Sequence, residues 1–96
     1  MNVGVCKVTL RLPENHSLKG KRQVVKSIIA RTRNKFNVSI AEVGNQNLWQ
    51  LATIGVCFVS NDPRYTNEVL CKVVDFVGNS HFDADIIDYN IEIIPI

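Results

Sequence analysis

Apolar and polar side chains alternate along the first twelve residues. Cys6, Val8, Leu10 and Leu12 fall on one face and Lys7, Thr9 and Arg11 on the other, the period of a half-buried strand over 2–12 that Pro13 ends. From 18 to 36 the period lengthens to that of a helix. Leu18, Val25, Ile28, Ile29, Thr32 and Phe36 share one stripe, and Ser17 stands where an N-cap belongs. Alternation returns over 36–43, with Val38 and Ile40 set against Asn37, Ser39 and Ala41, before the turn residues Gly44-Asn45-Gln46-Asn47. A strand over 51–60 completes a hairpin, with Ala52, Ile54, Val56 and Phe58 on one face and Thr53, Gly55 and Cys57 on the other. Asn61 or Asp62 then caps a second helix. Pro63 takes its first position, Val69, Leu70, Val73, Val74 and Val77 form its stripe, and Gly78-Asn79 is its stop. A last strand over 84–94 sends Ile87, Tyr89, Ile91 and Ile93 one way and Asp88, Asn90 and Glu92 the other.

The order is βαββαβ. With right-handed crossovers and a hairpin between the second and third strands, the expected fold is an α+β ferredoxin-like sandwich. Its four-stranded antiparallel sheet has the order 4-1-3-2, with both helices on one face. The 96 residues suit a single domain over 1–96 with one core. No apolar run approaches the roughly 18 residues that a membrane helix needs, and no charged-then-apolar leader opens the chain, so a cytoplasmic location is expected. Three cysteines, none in a Cys-x-x-Cys spacing, indicate neither a disulfide framework nor a thiolate metal cluster.

Several segments are distinctive: His16-Ser17-Leu18-Lys19-Gly20-Lys21-Arg22, Phe36-Asn37-Val38-Ser39-Ile40-Ala41-Glu42-Val43-Gly44, Leu48-Trp49-Gln50 and Val59-Ser60-Asn61-Asp62. Together they resemble the YlxP-like family of small bacterial proteins over nearly the whole chain. The resemblance implies a ferredoxin-like fold in a family of unknown function, often encoded beside genes for translation initiation and ribosome assembly. The family usually has Glu where this chain has Gly20, three residues after Ser17, so the reciprocal capping box cannot form here.

Charge changes the picture more than composition does. Residues 1–41 hold nine basic residues and one acidic, a net +8, whereas residues 42–96 hold two basic and eight acidic, a net −6. Seven bases lie on the first helix with no acid among them. At about 100° per residue, Lys19, Arg22, Lys26 and Arg33 line one flank of the apolar stripe, and Lys21, Arg31 and Lys35 the other. Like charges three or four apart each cost a helix about 0.2–0.5 kcal/mol. Two readings account for the placement. Either the flank contacts RNA phosphates, with an RNA or ribosomal subunit as partner, or it is a solvated face pairing with acids such as Glu68 or Asp75.

Topology suggests a second cluster. The loop 13–17, the start of the first helix, the hairpin 44–50 and the loop 78–83 share one end of the sheet, gathering His16, Ser17, Lys19, Lys21, Gln46, Asn47, Trp49 and His81. His16, Ser17, Lys19, Lys21 and Trp49 are the candidate anion or edge site, with free helix N–H groups for a phosphate and Trp49 as a stacking group. The alternative is plain structure: Ser17 caps, Trp49 packs over the hairpin, and the histidines are solvated. On the open sheet face, Lys7, Thr9, Thr53 and Cys57 occupy the central positions where RNA-recognition folds carry aromatics, so base stacking there is not expected. Lys7 and Arg11 are expected to pair with Asp88 and Glu92. Val3, Val5, Val43, Leu51, Val59 and Ile86 add apolar surface that suits a homodimer or an adaptor contact through this face.

Catalysis finds little support. Cys6 points into the core by strand phase, Cys57 onto the open face, and His16 and His81 are far apart in sequence, so no Cys-His pair is evident. Asp83, Asp85 and Asp88 make only a weak metal run, and the glycine-rich first loop of acylphosphatases, which share this architecture, is absent. The expectation is a non-catalytic RNA- or ribosome-associated module with no metal and no cofactor. The alternatives are an adaptor acting through the open face and a small-anion sensor at the start of the first helix.

Overall fold

The computed structural model describes residues 1–79 and 82–96. Its elements are β1 (Asn2–Arg11), α1 (Leu18–Lys35), β2 (Ser39–Gly44), β3 (Leu51–Ser60), α2 (Pro63–Asn79) and β4 (Asp85–Pro95). One antiparallel sheet runs β2-β3-β1-β4, the expected order read from its other edge. The fold is ferredoxin-like. Both helices cover one face, where Cys6, Val8, Leu10, Leu12, Val25, Ile28, Ile54, Leu70 and Val73 form the centre of the core.

Local chemistry sets the ends of the helices. Ser17 is extended at φ −155° and ψ 156°, and its side chain accepts the Gly20 N–H at 3.0 Å. Asp62 accepts the Arg64 N–H at 2.9 Å and so caps α2 just before Pro63. Gly4 lets α2 approach β1: a Cβ there would lie 2.3 Å from Thr66 Cγ2 and 2.6 Å from Leu70 Cδ1. The same contact carries a buried polar link, because the Thr66 hydroxyl donates to Asn2 Oδ1 at 2.6 Å and lies 2.6 Å from Ser60 Oγ. Thr66 and Asn2 are 0% and 5% exposed. Thr66→Val keeps the shape but strands the Asn2 oxygen, so urea unfolding should show a loss of about 1–3 kcal/mol.

Two bulges depart from simple alternation. Thr9 lies opposite Asp88 but Leu10 opposite Ile86, so Ile87 is the extra residue in β4. Ile86, expected on the open face, is therefore turned inward and half buried, while Ile87, expected inward, is 52% exposed. Tyr89 shares the inward phase of Ile91 and Ile93 but stays 51% exposed on this edge strand. In β2, Glu42 opposes Ile54 and Gly44 opposes Thr53, making Val43 the extra residue. Glu42 precedes this bulge and, two residues after Ile40, shares its face beneath the helices. The strand also starts later than expected, since Phe36 closes α1 by donating its N–H to the Thr32 carbonyl.

Candidate nucleic-acid interface

The buried stripe of α1 is Lys21, Val25, Ile28 and Thr32, not a purely apolar set. Lys21 is 1% exposed. Its Nζ lies 3.1 Å from Glu42 Oε2 and donates to the Asn45 carbonyl. This corrects the expectation that Lys21 belongs to a surface anion site, because its charge is matched inside the fold, where no phosphate reaches it. Leu18 and Ile29 are only half buried at the margins.

The other six bases of α1 sort by flank. Arg31 stacks its guanidinium 4.8 Å from the Phe82 ring centre, and Lys35 Nζ sits 5.0 Å from that of Phe76. These aromatics lie on and after α2, so Arg31 and Lys35 lean over their rings while staying exposed. Lys19, Arg22, Lys26 and Arg33 are exposed on the opposite side. Arg33 is anchored by one hydrogen bond from its guanidinium to the Ile40 carbonyl at 3.2 Å, which turns this flank toward the β2 edge. At about 100° and 1.5 Å per residue, the four Cα positions fall within an arc of about 60° and extend over about 21 Å.

Carboxylates do not neutralise this row. Among the described residues, the ion pairs are Lys21–Glu42 and Lys72–Glu68, the latter within α2. Glu68 is thus paired on its own helix rather than with α1. Lys7 and Arg11 do not pair with Asp88 and Glu92 either. The β4 bulge sets Arg11 beside Asp85, while Lys7 faces Asn90 and Glu92 faces Val5. β4 carries Asp85, Asp88 and Glu92 with no base, whereas on α2 Arg64 and Lys72 balance Glu68 and Asp75; the α1 row faces the opposite, β2 edge of the sheet, so the acidic strand and the basic row lie toward opposite edges.

The end of the domain near Ser17 is held by a residue that sequence reasoning passed over. Asn15 donates from Nδ2 to the carbonyls of Ser17, at 2.7 Å, and Trp49, at 2.6 Å. Gln50 adds bonds to the carbonyls of Pro13 and Asn15, and the Leu12 N–H donates to the Gln50 carbonyl. The hairpin is thus tied to the start of α1, bringing Trp49, Ser17, His16 and Lys19 to one end. His81 lies outside the described residues. A Cβ at position 20 would stand 2.3 Å from Asn15 Oδ1, so Asn15 uses the space that Gly20 leaves. The pairing of Gly20 with an Asn two residues before the N-cap was the available signal. Trp49 is 54% exposed beside a shallow recess lined by Asn47, Leu48, Gln50 and Leu51.

The open face has a trough of about 500 Å³ over Gly55, with Val5, Ala41, Val43 and Cys57 among its lining. Thr53, expected on its surface, is 5% exposed and accepts from Asn45 Nδ2 at 2.8 Å. Among the described residues no group of three His, Cys, Asp or Glu side chains is placed to hold a metal. Cys6 is 2% exposed, and burial above all pushes its thiol up to about 11. Iodoacetamide at pH 8 should therefore label exposed Cys71 first and reach Cys6 only in denaturant, as read by peptide mass mapping. Between pH 9 and 11 the unfolded chain loses this proton while the folded chain keeps it, so Cys6 makes stability fall as pH rises through that window.

These features define a small α+β protein of the ferredoxin-like class with one basic helix flank and a bare sheet face. Residues 3–91 match DUF503, described as a protein family of unknown function, and the chain belongs to that family. The uncharacterized protein YlxP of Bacillus subtilis (strain 168) is 46% identical over 63 residues, 66% of this chain and 68% of the relative. Among the described residues no helix is long and apolar enough to cross a membrane.

Proposed function

We propose that the chain is a non-catalytic, cytoplasmic RNA-binding module that docks on ribosomal or other structured RNA through α1. Lys19, Arg22, Lys26 and Arg33 contact the phosphate backbone, and Trp49 offers a stacking surface at the amino end of the row. One observation carries this reading: α1 presents four bases on one exposed flank with no carboxylate partner among the described residues, while on its other flank Lys21 is buried against Glu42 and Arg31 and Lys35 lie over aromatic rings. Such a row is the electrostatic footprint of phosphate binding. The acids on β4 favour one orientation of approach to a polyanion. The test is binding to ribosomal subunits and structured RNA across salt concentrations, for wild type and a variant with all four bases changed to Ala. Binding indifferent to the four substitutions, or absent at low salt, sinks the reading.

The bare sheet face favours a second reading, self-association. Val43 and Val59 are 55% and 56% exposed on it, beside the Gly55 trough. If the face pairs two copies, sedimentation of wild type shows a dimer that Val59→Arg converts to monomer. Thr53→Arg is unsuitable for this test because Thr53 is buried. A monomeric wild type at high micromolar concentration removes the self-association reading.

A further inference from the structure

We infer that the RNA taken by α1 is a base-paired stem at its junction with unpaired nucleotides, the stem's backbone lying along the basic row and the first unpaired base stacking on Trp49. The inference rests on the reading of α1 as an RNA-binding surface and narrows it to one class of RNA structure.

The row itself points to a duplex. Lys19, Arg22, Lys26 and Arg33 sit on one rigid helix, and the exposed positions beside them are Gln23, Ser27, Ala30 and Asn34, all small or polar. Proteins that hold single strands combine a charged groove with successive aromatic platforms. No aromatic side chain interrupts this flank, and the sheet presents Lys7, Thr9 and Cys57 at the central positions of its open face. A convex, polar helix surface with a straight line of bases instead suits the wide, shallow minor groove of an A-form stem, where 2′-hydroxyls and phosphates are presented and bases stay stacked. Gln23, Ser27 and Asn34 supply donors and acceptors for those hydroxyls.

Trp49 adds what a uniform duplex cannot use. Trp49 is 54% exposed, and the Asn15 amide binds the carbonyls of Trp49 and Ser17 together, so the backbone of Trp49 is held at the amino end of α1, beside the Ser17 cap that lies two residues before Lys19. The recess beside it has a volume of about 420 Å³. Bases inside a stem have both faces covered by their neighbours, so only a nucleotide that leaves the stem offers a face to the indole. The row and the ring therefore fit the point where pairing stops.

Trp49 is the single tryptophan of the chain, so intrinsic emission reports this contact directly. The probes are a short RNA stem–loop, the same stem as a blunt duplex, and a single strand of the loop composition. The stem–loop should bind tightest and quench Trp49 emission. The blunt duplex should bind about tenfold more weakly without quenching, and Trp49→Leu should reduce stem–loop affinity about tenfold while leaving the blunt duplex unchanged. Two results overturn the inference while the RNA reading stands. One is a single strand that binds as well as the stem–loop; the other is stem–loop binding that depends on α1 yet leaves the emission unchanged. If none of the three probes binds at low salt, the RNA reading fails with it.

Discussion

Lys21→Ala is expected to destabilise the protein by about 3–5 kcal/mol, because removing one partner of a buried ion pair leaves the other charge uncompensated. Lys21 is 1% exposed, and its side chain supplies both the countercharge of Glu42 and the donor for the Asn45 carbonyl. The Glu42 side chain is 19% exposed as a whole, but Oε2, the oxygen beside Lys21, is itself buried, so water does little to relieve the loss there. Domains of this size have only about 5–15 kcal/mol of stability in total, so the urea midpoint should fall by a large fraction. Lys21→Met keeps most of the stem volume and isolates the charge effect from packing. Adding Glu42→Leu to Lys21→Met should recover much of the loss, since a buried pair replaced as a unit by apolar groups is often neutral or better. If Lys21→Ala unfolds at the wild-type urea midpoint, the pair is not buried as described. Because Lys21 is internal, Lys21→Met should leave RNA affinity per folded molecule unchanged, which separates it from the outer row.

The pair also shows where sequence reading stops. Periodicity locates all six elements, because strands and helices each repeat one spacing over many residues, and right-handed crossovers with the β2–β3 hairpin then give the sheet order. This reading treats Lys21 as a surface residue since lysine is polar, although position 21 lies four and seven residues before Val25 and Ile28 and so falls on the same stripe. Glu42, two residues from inward-facing Ile40, carried the matching signal: two opposite charges, each on an inward phase. The bulges at Val43 and Ile87 were not legible, because one inserted residue changes register without changing composition. It moved Ile86 into the core and set Arg11 beside Asp85. The outer row of α1 was legible from 100° geometry alone. That Arg31 and Lys35 are occupied by Phe82 and Phe76 was not, since it depends on how α2 packs against α1. Asn15 was missed because its role links a loop to a hairpin end 34 residues away.

Changing Lys19, Arg22, Lys26 and Arg33 together to Ala is expected to abolish most of the salt dependence of RNA binding while leaving the fold intact. If each base neutralises one phosphate, log affinity changes with log salt by about −0.7 to −0.9 per contact, or about −3 for four. Between 50 and 200 mM salt that slope weakens wild-type binding by about 50- to 150-fold. The variant should show a nearly flat response over the same range. Single substitutions grade the row: Lys19→Ala, Arg22→Ala and Lys26→Ala should each remove about one contact's share of the slope. Arg33→Ala should do the same and also loosen β2, since its guanidinium holds the Ile40 carbonyl. Arg33→Lys then distinguishes the two roles, preserving the positive charge but not the planar fork. Lys19, Arg22 and Lys26 make no ion pair among the described residues, and their substitution relieves repulsion at Lys19–Arg22 and Arg22–Lys26, so thermal stability should hold or rise slightly. A row that served only as a solvated flank would give the same stability result but no change in slope, so the slope decides between them.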